Sequence, residues 1–126
     1  MRVLLVDDNA DIRLMIRHQL EQKRSMEVVG EASDGAEALI KVRSLRPHVV
    51  IMDVKMPVMD GIEATKVIRR DFPEISVLAF SAYGDKETVD AMLEAGACGY
   101  VLKDAPDQEL VLRLQDSVRE TEQVSD

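Results

Sequence analysis

The chain alternates between two kinds of apolar pattern, and this alternation restricts its possible folds more than any other feature. Mostly apolar runs of four to five residues cover positions 2–6, 28–32, 49–52, 77–80 and 99–102. Each run has the length of a strand that is buried on both faces. The longer stretches between and after them carry apolar residues at helical spacing. Five repeats of strand and helix predict a parallel sheet with helices on both faces, because each helix returns the chain to the same end of the sheet.

Polar residues predict where several helices begin. Asn9 and Asp34 precede the first two helical stretches and Asp60 precedes the third, where each side chain can cap a helix. Gly61 follows Asp60. A glycine at this position could be needed for a backbone conformation that other residues resist, or could simply belong to an ordinary turn. The apolar stripe of the second helix is predicted at Ala36, Leu39, Ile40 and Arg43.

Size and charge narrow the class of protein. The chain has 126 residues, the size of one domain, and 46% of them are apolar, which argues against global disorder. Its formal charge is −8, with 24 acidic and 16 basic side chains. This balance disfavours direct binding to nucleic acids and to anionic membrane surfaces, because both attract positively charged proteins.

The cysteine count and the short apolar segments predict where the protein works. A single cysteine, Cys98, cannot form an internal disulfide, which fits a reducing compartment. No apolar stretch approaches the roughly 20 residues of a membrane span. The apolar run at the N-terminus is too short for the core of a signal peptide. We therefore expect a soluble cytoplasmic protein.

Polar residues of specific types follow four of the five predicted strands. Asp7 and Asp8 follow the first strand, Asp53 the third, Ser81 the fourth and Lys103 the fifth. Because the carboxyl ends of parallel strands meet at one edge of a sheet, we expect these side chains to lie close together. A lone aspartate at a strand end is usually a turn or capping residue, so the joint occurrence carries the argument.

The chemistry of this set points to phosphoryl transfer. Three neighbouring carboxylates repel one another, and a hard divalent cation such as Mg²⁺ relieves that repulsion. A lysine adds a second positive charge, and a serine hydroxyl can donate to a phosphate oxygen. A carboxylate is an established nucleophile for such reactions. The set therefore predicts a Mg²⁺-dependent site at which a carboxylate takes a phosphoryl group.

Four motifs resemble the receiver domain of two-component response regulators. They are VLLVDDN at 3–9, VVIMDVKMPVMDG at 49–61, FSAYGD at 80–85 and GYVLKDA at 99–105. The resemblance covers about residues 2–120 and implies a single doubly wound, flavodoxin-like (βα)₅ domain whose parallel strands lie in the order 2-1-3-4-5. We expect a receiver domain at 1–120, with 121–126 as a polar tail or the start of a linker.

The resemblance also implies how the acidic residues act. Asp53 would accept the phosphoryl group from a sensor histidine kinase or a phosphotransfer protein. Asp8, Asp53 and the backbone carbonyl of Lys55 would bind Mg²⁺ directly, and Asp7 would act through a metal-bound water. Mn²⁺ or Ca²⁺ would be substitutes for Mg²⁺. The domain would catalyse only its own phosphorylation and dephosphorylation, and would not be an enzyme in the usual sense.

The remaining residues would convert phosphorylation into a change of surface. Lys103 would pair with the phosphoryl oxygens, Ser81 would move towards them, and Tyr100 would reorient as Ser81 moves. The face made by the fourth helix, fifth strand and fifth helix would then control an output domain or partner, with transcription as the expected output. A homodimer through the same face is left open. Neither a membrane nor a direct nucleic-acid contact is expected for this domain.

One position departs from a common receiver pattern. Many receivers have proline after the lysine in a cis peptide, whereas Asp104 follows Lys103 here. A cis bond before a residue other than proline costs roughly 3–4 kcal/mol, so a trans bond is expected. The sequence Lys103-Asp104-Ala105 resembles receivers that precede helix-turn-helix DNA-binding modules.

Three other functions remain to be weighed. A small aspartyl phosphatase needs a second aspartate two residues after the nucleophile, where this chain has Lys55. A dinucleotide-binding domain needs a glycine-rich first turn, and this chain has Asp7-Asp8-Asn9 there. A receiver-like interaction module that is never phosphorylated would not need the complete set of site residues.

Overall fold

The fold is a five-stranded parallel sheet with helices on both faces. The computed structural model describes residues 1–125, with side chains as far as residue 117. The strands are β1 (Arg2–Val6), β2 (Glu27–Ala32), β3 (Val49–Met52), β4 (Ser76–Ser81) and β5 (Gly99–Leu102). The helices are α1 (Ala10–Glu21), α2 (Gly35–Leu45), α3 (Gly61–Asp71), α4 (Lys86–Glu94) and α5 (Asp107–Ser125). The sheet order is β2-β1-β3-β4-β5, which confirms the predicted topology.

Alternating side chains of the central strands build two separate apolar cores. On one face, residues such as Val50 and Met52 of β3 pack with α2, α3 and α4. On the other face, Val49 and Ile51 of the same strand pack with α1 and α5. All four are at most 1% exposed. A strand covered on both faces needs apolar residues at every position, which is why β3 reads as a continuous apolar run.

The predicted helix caps are confirmed. The Asn9 side chain accepts hydrogen bonds from two backbone N–H groups in the first turn of α1. Asp34 and Asp60 each accept one, at the starts of α2 and α3. Such a cap typically contributes about 1 kcal/mol of stability. Because these caps begin the helices that follow β1, β2 and β3, they also fix the ends of the loops along the carboxyl edge of the sheet.

The predicted apolar stripe of α2 is wrong. The helix buries Ala38 and Val42, whereas Ile40 is 70% exposed. Ala38 is small, which allows the helix backbone to approach the sheet closely, and Val42 lies one helical turn further along the same face. Leu39 packs against the core only in part. Neighbouring apolar residues on α2 permit more than one stripe, and the observed one places Gly35, Ala38 and Val42 against the core.

The last helix extends further than the predicted domain boundary. The backbone of α5 continues to Ser125, and Asp126 lies outside the described residues. The interpretation of 121–126 as a tail or the start of a linker stays a prediction. Across the described residues, none of the helices is long and apolar enough to cross a membrane.

Candidate functional site

Three carboxylates meet at the carboxyl edge of the sheet. Asp7, Asp8 and Asp53 each offer an oxygen, and the three oxygens lie within 4.8 Å of one another. The sheet ladder brings them together, because the Asp7 N–H donates to the Ala32 carbonyl at 3.0 Å and the Asp53 N–H donates to the Val6 carbonyl at 2.9 Å. Asp7 follows β1 and Asp53 follows β3, and these two strands are neighbours in the sheet although they lie far apart in the sequence. The predicted cluster of carboxylates is therefore confirmed.

Two of the carboxylates are buried and the third faces solvent. Asp7 is 2% exposed and Asp53 is 5% exposed, whereas Asp8 is exposed. One oxygen of Asp7 accepts the Asn9 N–H, and one oxygen of Asp53 accepts the Val54 N–H, each at 2.9 Å. These bonds orient the buried carboxylates, while Asp8 remains accessible to an incoming ion.

Lys103 supplies the opposing charge. Its Nζ lies 2.8 Å from an oxygen of Asp7 and 3.4 Å from an oxygen of Asp53. The Lys103 N–H donates to the Ser81 carbonyl at 2.8 Å, which ties the end of β5 to the end of β4. Burial lowers the pKa of the lysine, but its bond to Asp7 and the nearby charge of Asp53 outweigh burial and raise it. Lys103 is therefore a fixed cation over both buried carboxylates.

The protonation of Asp53 is unusual for an aspartate. Burial, together with the negative charge of Asp7, raises the pKa of Asp53 to about 6. Lys103 and the Val54 N–H act in the opposite direction and do not cancel the effect of burial. Asp53 is thus a carboxylate in a poorly solvated position, ionised above about pH 6.

Ser81 and Tyr100 hold the same residue from two sides. The Ser81 hydroxyl, fully buried, accepts the backbone N–H of Tyr83 at 3.0 Å. The Tyr100 hydroxyl donates to the backbone carbonyl of Tyr83. The loop between β4 and α4 therefore joins the end of β4 to the side chain on β5. The sequence reasoning named Ser81 and Tyr100 as the switch pair and placed Tyr83 beside the site, but did not assign Tyr83 the role of linking the two.

Lys55 lies at the rim of the site. Its ammonium group lies over the ring of Tyr83, 5.2 Å from the ring centroid, and both side chains are exposed. This cation–π contact holds the loop after β3 near the loop after β4. The predicted role of the Lys55 carbonyl as a metal ligand stays a prediction.

The loop between Asp53 and α3 is tightly packed. The Gly61 N–H donates to the Val54 carbonyl at 2.8 Å, and the Gly35 N–H donates to the Met59 carbonyl at 2.9 Å. Val58, which is 85% exposed, has a φ of 68°, in the left-handed region that β-branched residues rarely adopt.

Among the described residues there is no cis peptide bond, which confirms the trans bond after Lys103.

Sequence reasoning missed two residues that support the acidic cluster. Arg13 of α1 donates to the backbone carbonyl of Asp7 and pairs with Glu31 of β2. The available signal was a glutamate in the middle of a predicted strand, and an arginine one turn after the Asn9 cap. The sequence alone does not predict which residues Arg13 and Glu31 contact.

The donor set suits a hard divalent cation. Carboxylate oxygens are the ligands that Mg²⁺ prefers, and this ion keeps several waters of its own. The exposed side chain of Asp8 leaves room for those waters, and the buried Asp7 and Asp53 provide negative charge that a single lysine does not balance. The residues present therefore fit such an ion.

Comparisons with known proteins agree on one family. A family profile described as "Response regulator receiver domain" matches residues 3–115. Response regulator GacA of Pseudomonas protegens is 43% identical over 110 residues, which are 87% of this chain and 52% of that protein. The uncharacterized transcriptional regulatory protein YhcZ of Bacillus subtilis is 40% identical, over 88% of this chain and 52% of that protein. The chain thus spans about half the length of these relatives.

Solved structures of similar chains show the same fold. The signal receiver domain of the response regulator NarL from Mycobacterium tuberculosis superposes with a TM-score of 0.89 at 35% identity, covering 94% of this chain and 95% of that one. A CheX-CheY-BeF3-Mg complex from Borrelia burgdorferi matches with a TM-score of 0.84 at 27% identity, over 92% and 87% of the two chains.

Proposed function

The chain belongs to the response regulator receiver domain family, and from this membership we propose that it accepts a phosphoryl group on Asp53. The observation that carries the proposal is the position of Asp53. Its carboxylate lies beside the Asp7–Asp8 pair and within 3.4 Å of the Lys103 ammonium, which also contacts Asp7. A reacting phosphoryl group needs a nucleophile with positive charge nearby. Lys103 supplies one such charge, and a divalent cation held by the carboxylates would supply the other.

We propose that Asp8, Asp53 and the Lys55 carbonyl hold Mg²⁺, with Asp7 acting through a bound water. When bound, the ion neutralises charge on the phosphoryl oxygens. Mn²⁺ and Ca²⁺, which share its preference for oxygen, are the expected substitutes. The acidic cluster and the excess of negative charge around Lys103 support this assignment.

The protein's own residues carry the rest of the reaction. A carboxylate oxygen of Asp53 forms a bond to phosphorus as the bond from phosphorus to the donor nitrogen of a phosphohistidine breaks. The reaction needs the ionised form of Asp53. Burial raises the pKa of Asp53, and a bound divalent cation would favour the ionised form. Lys103 pairs with the phosphoryl oxygens. Hydrolysis of the acyl phosphate at the same site would complete the cycle. The domain would then catalyse only its own phosphorylation and dephosphorylation.

The switch that follows runs through Tyr83. A phosphoryl group on Asp53 adds negative charge and acceptor oxygens, which attract the Ser81 hydroxyl. Because the Ser81 hydroxyl also accepts the Tyr83 N–H, its movement towards the phosphoryl group pulls on the backbone of Tyr83. Because the Tyr83 carbonyl is held by Tyr100, movement of this loop alters the β5 side chain as well. The surface formed by α4, β5 and α5 changes as a result.

The partners follow from the family and from the length of the relatives. Receiver domains interact with histidine kinases or phosphotransfer proteins and with output domains. We propose the same partners here, with 1–120 as the receiver, 121–126 as a polar tail or the start of a linker, and transcription as the expected output. A homodimer through the α4–β5–α5 surface and a cytoplasmic location are parts of the same proposal.

The test measures how many phosphoryl groups each chain accepts. Incubation with radiolabelled acetyl phosphate and Mg²⁺ should label the protein to at most one phosphoryl group per chain, and excess EDTA should abolish labelling. A generic phosphate ester tests the phosphatase alternative in parallel. Labelling at full rate in EDTA would refute the Mg²⁺ role, and many turnovers of the ester would favour a phosphatase.

A further inference from the structure

An arginine outside the acidic cluster touches the backbone that carries it. Arg13 lies in the second turn of α1, and its Nη1 donates to the Asp7 carbonyl at 2.5 Å. Its Nε donates to an oxygen of Glu31 at 2.9 Å. The Arg13 side chain is 18% exposed, so most of its surface is packed. The guanidinium therefore bridges the end of β1 and the edge strand β2.

The bonded carbonyl belongs to the peptide that joins Asp7 to Asp8. The orientation of this peptide determines the direction in which Asp8 leaves the backbone. The side chain of Asp8 is short, with one CH₂ group between Cα and the carboxylate. It therefore cannot compensate for a change in the backbone direction. A rotation of the peptide would therefore move the exposed carboxylate relative to the two buried ones.

Glu31 is held firmly enough to orient Arg13. Its second carboxylate oxygen pairs with the Arg17 guanidinium at 2.8 Å, and its backbone carbonyl accepts from Lys41 at 2.8 Å. Burial acts to raise the pKa of Glu31, but the hydrogen bonds from Arg17 and Arg13 outweigh it and lower that pKa. Glu31 thus stays ionised and keeps both arginines in place.

We propose that Arg13, oriented by Glu31, is a positioning residue that sets the Asp7–Asp8 turn for binding a divalent cation. The inference rests on the metal site of the proposed function. Residues behind metal ligands orient those ligands, and their loss typically weakens metal binding about 10- to 100-fold. Arg13 acts here through a backbone carbonyl, so we expect the lower end of that range.

If Arg13 acted only through its charge, its removal would change the affinity for Mg²⁺ in the opposite direction. A cation beside an acidic site repels Mg²⁺, so removing the charge of Arg13 should strengthen binding if electrostatics were its whole effect. The positioning role requires that binding weakens. A purely structural ion pair would lower the stability of the fold and leave the affinity for Mg²⁺ unchanged.

The experiment measures Mg²⁺ binding by isothermal titration calorimetry, with no phosphoryl donor present. Arg13→Gln should raise the dissociation constant for Mg²⁺ about tenfold. Arg17→Gln is the matched control, because it removes the same charge from the same helix and the same Glu31, and does not touch Asp7. Its dissociation constant should remain within about twofold of the wild type. Equal or tighter Mg²⁺ binding by Arg13→Gln would overturn the proposal.

Two further variants separate geometry from charge and folding. The double variant Arg13→Gln/Glu31→Gln keeps the net charge and should still bind Mg²⁺ several-fold more weakly. Arg13→Lys keeps the charge of the single site, but one ammonium group cannot reproduce the guanidinium fork, so binding should be intermediate. If Arg13→Gln does not fold by circular dichroism, Arg13→Lys takes its place, and wild-type affinity in that variant overturns the proposal.

The outcome also distinguishes this inference from the proposed function. Absence of Mg²⁺ binding by the wild-type protein would refute the metal site itself. Normal binding by the wild type together with normal binding by the Arg13 variants would leave the metal site intact and refute only the positioning role.

Discussion

Gly61 lies directly against the backbone of Asp53: a Cβ atom at position 61 would stand 1.9 Å from the Asp53 carbonyl oxygen. The N-terminus of α3 thus begins in contact with the end of β3. Among described residues, Gly96 is the one glycine with positive φ, so Gly61 is needed for its small size rather than for a special conformation.

Gly61→Ala should therefore destabilise the protein. The clash is with a backbone atom, which cannot rotate away as a side chain can, and overpacking of this kind costs about 2–3 kcal/mol. Urea unfolding measures the loss. Gly84→Ala is the matched control, because the nearest atoms there belong to the flexible end of Leu102, at 3.1 Å. Equal stabilities of the two variants would contradict this account of Gly61.

The fold was predictable because its signals are local and repeated. Each interior strand is covered on both faces and so reads as a continuous apolar run, as Val49–Met52 does. The Asn9, Asp34 and Asp60 caps follow from the chemistry of helix N-termini. The parallel order then places the ends of β1, β3, β4 and β5 on one edge, which is why the acidic cluster and Lys103 could be predicted together.

Lys103→Gln should strengthen Mg²⁺ binding and slow phosphorylation. The lysine occupies the carboxylates of Asp7 and Asp53 that attract the ion, so its removal relieves competition worth about 1 kcal/mol, or about fivefold in affinity. Phosphoryl transfer would lose the cation that we propose pairs with the phosphoryl oxygens, so it should slow at saturating Mg²⁺. Calorimetry and labelling rates give the two values.

Lys86→Gln provides the control for Lys103→Gln. It removes the same charge from α4, where Lys86 pairs with Asp90 on an exposed surface. Both the affinity and the labelling rate should remain near those of the wild type. Weaker Mg²⁺ binding by Lys103→Gln would show that the lysine organises the site rather than competing for it.

Asp53→Asn should gain stability relative to the wild type as pH rises. The pKa of Asp53 is about 6 in the folded protein, against 3.8 for an ordinary aspartate, so the folded state holds the proton more tightly. Ionisation therefore destabilises the folded wild type between about pH 4 and pH 6, and the cost is complete above that range. A rise of about two pKa units corresponds to about 3 kcal/mol.

Urea unfolding in EDTA at pH 4 and pH 7.5 tests that prediction. The stability difference between Asp53→Asn and the wild type should grow by about 2–3 kcal/mol from the lower pH to the higher. Added Mg²⁺ at pH 7.5 should narrow it, because the ion binds the folded wild type. A difference that is the same at both pH values would contradict the raised pKa.

Tyr100→Phe should uncouple the α4–β5–α5 surface from phosphorylation. The variant loses the hydrogen bond to the Tyr83 carbonyl, a change of about 1 kcal/mol in stability, and keeps Asp53 and its neighbours. In amide NMR spectra with acetyl phosphate and Mg²⁺, shifts near Asp53 should persist while shifts in α4 and β5 fall to less than half.

Tyr83→Phe separates the side chain from the backbone in this experiment. It removes a hydroxyl but retains the backbone N–H and carbonyl that Ser81 and Tyr100 contact. Its shifts in α4 and β5 should therefore match those of the wild type. Full wild-type shifts in Tyr100→Phe would show that the connection does not pass through this bond.

What could not be predicted depends on contacts between distant residues. Arg13 and Glu31 look like ordinary surface charges until β2 and α1 are placed side by side. The stripe of α2 that is buried, Gly35, Ala38 and Val42, depends on how the helix packs on the sheet, because its sequence has apolar residues on more than one face. The raised pKa of Asp53 depends on burial by the whole carboxyl edge, which no single motif encodes.

The most direct test of the central claim is where the phosphoryl group goes. Intact-protein mass spectrometry after treatment with acetyl phosphate and Mg²⁺ should show one added phosphoryl group on the wild type and none on Asp53→Asn. Asp60→Asn should be labelled like the wild type, because asparagine caps α3 as well as aspartate does. Labelling of Asp53→Asn at the wild-type rate would contradict the assignment of Asp53 as the acceptor.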